Sequence, residues 1–230
     1  MCSTDSVPIT EEVSLRALLT ACVEVSERRN DRGPEALHQQ EIDYLARTVA
    51  KRRAEFVTTR RCVREALSRL GLERPPMVPG EAGAPQWPHG VVGSITHCDG
   101  YRAAVVAWAA DVYAVGVDAE PAAALPPGVL EIVAQEREVE HLRQLSARDP
   151  DVPWDRLLFS AKEAVYKVWF PLARTWLGFD EADITIEAGG HFTAALARPL
   201  PPPEGRPLRE VEGRWGTDGR HIVTAVGLLP

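Results

Sequence analysis

Two acidic side chains in one predicted strand are the first residues whose types and spacing indicate chemistry. Asp118 and Glu120 lie in residues 115–121, where the intervening positions are apolar. Side chains two positions apart on a strand lie on the same face, about 7 Å from each other. Two carboxylates at that distance in a cleft repel one another unless a cation lies between them, and a hard divalent cation prefers such ligands. The alternative is that both acids occupy the solvated end of the strand.

A second group of polar residues lies on a predicted helix over residues 153–170. Its polar face carries Arg156, Ser160, Glu163 and Lys167. Glu163 and Lys167 are four positions apart and adjacent on the helix surface, which is also a common arrangement on exposed helices. Lys162 adds a cation beside Glu163, while Phe159 and Tyr166 border the polar face with aromatic rings. This arrangement indicates an anion-binding groove that contains one carboxylate.

The third candidate is a basic stretch within a predicted helix over residues 41–70. Between positions 47 and 64 the only acidic residue is Glu55, and the seven basic residues are Arg47, Lys51, Arg52, Arg53, Arg60, Arg61 and Arg64. Arg52 falls on the apolar stripe between Val49 and Phe56, and Arg60 falls near the border of that stripe. An arginine directed inward usually meets an anion. The alternative is that these arginines extend along an ordinary surface helix.

The remaining pattern predicts the elements that position these residues. A short helix is predicted within residues 15–25, followed by the helix over 41–70, which we expect to break near residues 57–59, and by a loop over 73–90. Three strands are then predicted at 91–97, 101–108 and 112–120, and we expect them to form an antiparallel meander. Helices follow at 129–146 and 153–170, and further strands at 184–187, 191–196, 211–215 and 221–227. This order predicts an α+β protein with two halves, residues 1–115 and 116–230, each containing a helix and about three strands. Asp118 would lie at the seam between them.

Composition limits the classes of protein to which this chain belongs. Its 230 residues can bury a core, and 45% hydrophobic with 26% charged residues is typical of a globular protein. Cys2, Cys22, Cys62 and Cys98 form no C-x-x-C pair, so no zinc site or dense disulfide framework is expected. No apolar run matches a membrane span or a signal peptide, so we expect a cytoplasmic protein without a membrane partner. The net charge of −7 argues against nucleic-acid binding.

Two motifs at a characteristic spacing resemble the paired signatures of Sfp-type phosphopantetheinyl transferases. The sequence GVDAE at residues 116–120 is followed some forty residues later by FSAKEAVYK at residues 159–167. Each motif alone is unspecific, whereas the pair is specific. GSITH at residues 93–97 and the basic helix are also similar to this family, and QWPHG at 86–90 and WFP at 169–171 match its siderophore-synthase-associated, EntD-like branch. The resemblance covers residues from about 45 to 180.

The resemblance implies a reaction, a metal and a protein partner. The reaction is transfer of 4'-phosphopantetheine from coenzyme A to a serine of an apo acyl or peptidyl carrier protein, with release of adenosine 3',5'-bisphosphate. Mg²⁺, or Mn²⁺ in its place, would be held by Asp118, Glu120 and Glu163, which are the oxygen ligands that Mg²⁺ prefers. Lys162 and Lys167 would balance phosphate charge. Glu163, or a metal-bound water that it orients, would take the serine proton.

The resemblance also implies roles for the substrate-binding residues. The nucleotide and its 3'-phosphate are expected at Arg52, Arg60, Thr96 and His97, and the pantetheine arm at Tyr166 and Trp176. The residues alone leave three alternatives open: a histidine at a strand end is more often a structural hydrogen-bonding group, Ser94 and Thr96 would cap the turn at 98–100, and core packing is an equal interpretation of Trp176. Gly116 would leave room for the cofactor. Where many relatives carry a lysine this chain has Pro79, so a phosphate contact is expected to be missing or supplied by a residue such as Arg53.

We therefore expect a monomeric enzyme that activates carrier proteins of polyketide, nonribosomal-peptide or siderophore synthesis. The carrier is expected to dock near residues 121–146. The rival interpretation is a non-catalytic regulator of the same fold that binds coenzyme A or a carrier protein. A DNA-binding protein that uses the basic helix is the third interpretation, and the acidic net charge disfavours it.

Overall fold

A computed structural model describes residues 12–33, 35–201 and 205–230. It contains helices and two antiparallel sheets, which confirms the α+β class. Cys22, Cys62 and Cys98 are free thiols, and Cys2 lies outside the described residues. None of the helices in the described part of the chain is both long and apolar enough to span a membrane.

The first sheet has three strands in the order β1-β3-β2, formed by Glu24–Arg28, Val91–Cys98 and Tyr101–Trp108 as β1, β2 and β3. The tight turn between β2 and β3 contains Gly100 with a φ of 75°, a conformation that favours glycine. The predicted helix over residues 15–25 is wrong, because a single 3-10 turn at Leu15–Ala17 leads into β1. Val25 of β1 is buried in the sheet core, so tertiary packing decides its conformation.

Two helices cover the predicted helix over residues 41–70. Helix α1 is Gln39–Leu45 and helix α2 is Ala50–Arg69. The predicted break near residues 57–59 is wrong, because the chain breaks instead between Leu45 and Ala50. Thr58 and Thr59 are buried inside α2, where the Thr59 hydroxyl donates to the Glu55 carbonyl at 2.7 Å and so remains satisfied within the helix.

The second sheet has five strands in the order β4-β8-β7-β6-β5, and the sequence predicts a strand at each of these positions. Strands β4 to β8 are Ala114–Pro121, Ala182–Glu187, His191–Leu200, Leu208–Thr217 and His221–Leu228. Helices α3 (Leu130–Val133), α4 (Glu136–Arg148) and α5 (Trp154–Ala173) follow β4, so the predicted helix over 129–146 is in fact two. The meander prediction is wrong for β4, which pairs with β8 of the second sheet.

The seam between the sheets is made by side chains rather than by strand pairing. Strand β4 pairs with β8 along one edge and lies beside β2 along the other. The Val117 N–H donates to Ser94 Oγ at 3.1 Å, and the Ala119 N–H donates to Thr96 Oγ1 at 2.9 Å. Both hydroxyl residues are buried, so they satisfy backbone groups of β4 and do not cap the turn at 98–100. The predicted division of the chain at residue 115 falls within β4.

Helix α5 packs closely on β4 at Gly116. A Cβ at that position would lie 2.1 Å from the Ala164 carbonyl oxygen and 2.9 Å from Val168 Cγ2. The glycine therefore provides space for the helix backbone, and the prediction that it leaves room for a cofactor is wrong. This close approach brings the polar residues of α5 to the acids of β4.

Candidate active site

A cavity of about 1070 Å³ lies along the seam and receives side chains from α2, β2, β4 and α5. The predicted site residues that line it are Arg52, Arg60, Thr96, His97, Asp118, Glu163, Tyr166 and Lys167. A smaller cavity of about 90 Å³ is lined by Lys162 and Trp176 and shares Glu163 and Tyr166 with the first. The structure thus brings most of the residues singled out in the sequence to one place.

Asp118 is the most extensively bound side chain of the site. Its Oδ1 accepts hydrogen bonds from Lys167 Nζ at 2.7 Å and from Thr96 Oγ1 at 3.2 Å. Its Oδ2 accepts one from Ser160 Oγ at 2.9 Å. Strands β2 and β4 and helix α5 therefore all contribute to one carboxylate, which is only 5% exposed.

Ser160 and Thr224 support Asp118, a role that the sequence analysis did not assign. The two hydroxyl oxygens lie 2.9 Å apart, and Thr224 Oγ1 is also 3.0 Å from the Ser160 carbonyl oxygen. Because Ser160 donates its one hydroxyl proton to Asp118 and Thr224 donates its own to the Ser160 carbonyl oxygen, the two hydroxyl groups form one buried cluster beneath Asp118. Ser160 lies three positions before Glu163, so the helical spacing places it on the face of α5 that points to Asp118. No local pattern in the sequence indicates the role of Thr224 on β8.

The two glutamates have unusual electrostatic surroundings. Glu120 is paired with Arg156, whose Nη1 donates to Oε2 at 2.8 Å. Burial and then the nearby Asp118 raise the pKa of Glu120, although Arg156 opposes this. Burial and then Asp118 likewise raise the pKa of Glu163, against the effect of Lys167. The charges of Glu120 and Glu163 are therefore costly in this region.

The predicted metal ligands do not form a preorganised metal centre. No group of three or more His, Cys, Asp or Glu side chains in the described ranges could hold a metal ion, and Glu120 is engaged by Arg156. The chemistry of the donors nevertheless fits a hard divalent cation, because Asp118 raises the pKa of both glutamates and a cation would relieve that repulsion. Glu120 would have to leave Arg156 before it could join Asp118 and Glu163 in such a site.

Lys162 has a different environment from the predicted one. It is buried, and its ammonium donates to Glu138 Oε2 at 2.8 Å and to the carbonyls of Phe179 and Ala182 at 2.6 and 2.9 Å. Burial lowers its pKa. All three donor positions of the ammonium are used, so the expectation that Lys162 balances phosphate charge is not supported. The sequence contains a signal for this burial, because Lys162 lies four positions after Leu158 and three before Val165, within the apolar stripe.

Arg52 and Arg60 are the only two of the seven basic residues that line the large cavity, all seven being described. Arg60 is 7% exposed and its Cζ lies 3.7 Å from the Phe56 ring centroid. Arg52 is exposed. The guanidinium of Arg53 donates to the Leu45 carbonyl at 3.1 Å, and Arg53 does not line the large cavity, so its expected phosphate contact stays a prediction.

His97 completes this basic wall. Burial lowers its pKa, the nearby carboxylate of Glu55 opposes that effect, and the charges of Arg102, Lys167 and Arg52 reinforce it. Its Nδ1 lies 4.0 Å from Glu55 Oε2. The imidazole is therefore neutral at neutral pH and available as a hydrogen-bonding group beside the cations.

Tyr166 and Trp176 form an aromatic wall where the two cavities join. Their ring centroids lie 5.1 Å apart. Trp176 is 67% exposed, so the interpretation that it packs in the core is wrong. The buried Tyr166 hydroxyl has no hydrogen-bond partner among the described residues. The wall therefore presents apolar surface, while the Tyr166 hydroxyl lies buried.

Comparison with known proteins shows which family this chain resembles along most of its length. Residues 38–107 match the family described as 4'-phosphopantetheinyl transferase N-terminal domain, and residues 114–220 match the 4'-phosphopantetheinyl transferase superfamily. The chain is 52% identical to 4'-phosphopantetheinyl transferase Svp of Streptomyces mobaraensis, over 84% of this chain and 78% of the relative. It is 44% identical to 4'-phosphopantetheinyl transferase PptT of Mycobacterium tuberculosis, over 82% and 85% of the respective chains.

A more distant relative belongs to the branch that the sequence motifs indicate. The chain is 31% identical to enterobactin synthase component D of Salmonella typhi, over 81% of this chain and 76% of that protein. The matched regions include the strand of Asp118, the helix of Glu163 and the basic helix of Arg52. From this similarity and the residues gathered in the cavity, we conclude that the chain belongs to the 4'-phosphopantetheinyl transferase superfamily.

Proposed function

We propose that this protein transfers the 4'-phosphopantetheine group of coenzyme A to a serine hydroxyl of an apo acyl or peptidyl carrier protein. One observation carries the proposal: a single cavity joins a basic wall of Arg52, Arg60 and His97 to an acidic group around Asp118 and Glu163. A phosphate-rich nucleotide suits the basic wall. A reaction at phosphorus suits the acids and Lys167, because positioning and electrostatics carry most phosphoryl-transfer catalysis.

The basic wall would bind the nucleotide end of coenzyme A. Arg60 presents a guanidinium whose Nη1 has no hydrogen-bond partner among the described residues, and Arg52 adds a second, exposed cation. His97 and the Thr96 hydroxyl lie on the same wall. The aromatic wall of Tyr166 and Trp176 would hold the pantetheine arm, and the free Tyr166 hydroxyl would find a partner in an amide of that arm.

In the transfer step, the serine oxygen forms a bond to the phosphorus that carries pantetheine. The bond between that phosphorus and the bridging oxygen breaks, and adenosine 3',5'-bisphosphate leaves with the bond's electrons. Glu163, or a water that it orients, takes the serine proton, because a carboxylate whose pKa is raised by burial is a stronger base. Lys167 holds Asp118 and places positive charge beside the diphosphate.

Asp118 and Glu163 would hold Mg²⁺, or Mn²⁺, and Glu120 would join them on release from Arg156. When bound, the cation would supply neutralisation of diphosphate charge. The chain's own contribution is to keep Asp118 fixed by Thr96 and Ser160 and to keep both glutamates in a poorly solvated position where a cation is favourable.

A single chain provides all of these residues, so a monomer is sufficient for the reaction. The expected partners are carrier domains of polyketide, nonribosomal-peptide or siderophore synthesis, docked near residues 121–146. Lys162 is a structural residue that secures α5 through Glu138, and it takes no part in binding phosphate.

The test is a mass measurement on a panel of apo carrier proteins mixed with coenzyme A, Mg²⁺ and this protein. A gain of one phosphopantetheine group on the carrier supports the proposal, and addition of a chelator should abolish that gain. Asp118→Ala and Glu163→Gln should each abolish turnover, whereas Glu212→Gln, at an exposed position on β7, should not. Binding of coenzyme A without any mass gain across the panel would instead indicate the non-catalytic regulator.

A further inference from the structure

A buried carboxylate outside the cavity organises the basic wall. Glu41, on α1, is 0% exposed, and its two oxygens accept three hydrogen bonds from two segments of the chain. Oε2 accepts from the His38 N–H at 2.9 Å. Oε1 accepts from Arg74 Nη1 at 2.5 Å and from the Met77 N–H at 3.0 Å. One side chain therefore ties the start of α1 to the loop that forms part of the cavity wall.

The Met77 peptide transmits this contact to Arg60. Arg60 donates from Nε at 2.9 Å and from Nη2 at 2.5 Å to the Met77 carbonyl oxygen. The same peptide group is thus held by Glu41 through its N–H and holds Arg60 through its C=O. With Phe56 against the guanidinium face, only Nη1 of Arg60 is without a hydrogen-bond partner in the described part of the chain, and Arg60 lines the cavity.

The electrostatics of this network support a charged arrangement at neutral pH. Burial alone would raise the pKa of Glu41, but the hydrogen bonds from Arg74, His38 and Met77 outweigh it and lower that pKa. Burial lowers the pKa of Arg60 to about 10, and Glu41, with its Oε1 3.7 Å from Nε, opposes that effect while Arg74 adds to it. Glu41 thus compensates two buried guanidinium groups.

From these contacts we infer that Glu41 is a positioning residue for nucleotide recognition: through the Met77 peptide it directs the free edge of Arg60 at the 3'-phosphate of the substrate. The inference rests on the proposed function, which places the nucleotide end of coenzyme A at this wall. Recognition of a phosphate by a guanidinium depends on direction, since the donors are fixed in a planar fork. A loosely held Arg60 would keep its charge but lose that direction.

The variant Glu41→Gln keeps the size of the side chain and one oxygen acceptor but removes the charge. We expect its KM for coenzyme A to rise roughly tenfold or more, the size of effect typical of a lost charge-assisted hydrogen bond, with kcat nearly unchanged. Its KM for 3'-dephospho-coenzyme A should not change, so the preference for the 3'-phosphate should collapse. Combined with Arg60→Ala, the variant should add nothing to the loss of preference.

Glu138→Gln is the matched control. Glu138 is equally buried and likewise bound by a cation and a backbone N–H, but it lies in the other half of the chain. It should lower the melting temperature without changing the preference for the 3'-phosphate. Equal rises in KM for both forms of coenzyme A in Glu41→Gln, or an unchanged preference, would overturn the positioning role.

Two further measurements separate this inference from the proposed function. If the wild type modifies no carrier, calorimetry can still measure the affinities of the protein for adenosine 3',5'-bisphosphate and for adenosine 5'-monophosphate. The ratio of these two affinities reports the preference for the 3'-phosphate. Its loss in Glu41→Gln supports the inference, and its absence in the wild type overturns it. If Glu41→Gln does not fold, Glu41→Asp keeps the charge, shortens its reach to Met77, and should lose part of the same preference.

Discussion

Asp118 and Glu163 have opposite degrees of restraint, which suits different tasks. Asp118 is held by Lys167, Thr96 and Ser160, so its position is set before any ligand arrives. Glu163 has no hydrogen-bond partner among the described side chains, and its pKa is raised, first by burial and then by Asp118. A fixed carboxylate suits a ligand or anchor, whereas a free, more basic one suits proton transfer.

The charge of Glu163 should destabilise the folded protein at neutral pH. The folded-state pKa lies above the ordinary value of 4.5, so the folded protein retains the proton longer than the unfolded chain does. Stability contributed by the protonated form is therefore lost as pH rises through the interval between the two pKa values. Glu163→Gln should raise the melting temperature at pH 7, and this gain should disappear below about pH 4.5.

Scanning calorimetry at pH 7 and pH 4 measures this difference, with Glu140→Gln as an exposed control that should change little. Addition of MgCl₂ should raise the melting temperature of the wild type more than that of Glu163→Gln, because the variant lacks one carboxylate. A lower melting temperature for Glu163→Gln at pH 7 would contradict the electrostatic explanation.

At the scale of elements, the contact between α5 and β4 depends on Gly116. Gly116→Ala would place a methyl group 2.1 Å from the Ala164 carbonyl oxygen, so the helix must shift. We expect a loss of about 1–3 kcal/mol in the free energy of unfolding and a large loss of turnover, since α5 carries Glu163 and Lys167. Chemical denaturation and the carrier mass assay measure these two effects.

Gly227 on β8 is the matched control for that substitution. It pairs with Val115, one residue from Gly116, and an added Cβ would meet no atom within 4 Å. Gly227→Ala should be neutral or slightly stabilising, because alanine has less conformational freedom to lose. Equal destabilisation by both substitutions would show that close helix packing is not the reason for the glycine.

The buried pair of Lys162 and Glu138 links α5 to α4 and to the start of β5. Lys162→Met should cost about 3–5 kcal/mol in the free energy of unfolding, because it leaves the Glu138 carboxylate buried without its cation. The double substitution Lys162→Met with Glu138→Leu should recover part of this loss. Denaturant titrations measure both variants, and the exposed pair Arg143 and Glu140 is the control, where Arg143→Met should cost well under about 1 kcal/mol.

The same variants test the original interpretation of Lys162. If Lys162 only secures α5, folded Lys162→Met should keep the wild-type KM for coenzyme A. A raised KM with unchanged stability would restore the phosphate role that its motif suggested.

At the scale of the whole molecule, the two sheets meet through the hydroxyls of Ser94 and Thr96. Thr96→Val keeps the shape but leaves the buried Ala119 N–H without an acceptor and removes one donor from Asp118. We expect a loss of about 1–3 kcal/mol in the free energy of unfolding together with reduced turnover. Thr185→Val, at an exposed position on β5, should be nearly neutral. Comparable losses from both would show that the seam does not depend on this hydrogen bond.

Local periodicity determined much of the site from the sequence alone. Alternation on β4 correctly puts Asp118 and Glu120 on one face, and the helical spacing on α5 places Glu163 beside Lys167. The position of Arg60 near the apolar stripe correctly indicated an inward arginine. Such patterns report which face of an element a residue occupies, because side-chain direction follows from backbone geometry within one element.

Only the tertiary structure decided which elements and side chains become partners. The sequence does not distinguish the two edges of β4, so its pairing with β8 rather than the first sheet was not predicted. The partner of Lys162 is 24 residues away on α4, and Arg60 depends on Glu41 through a peptide in a loop. These choices depend on long-range packing and on the satisfaction of buried polar groups, which no local pattern encodes.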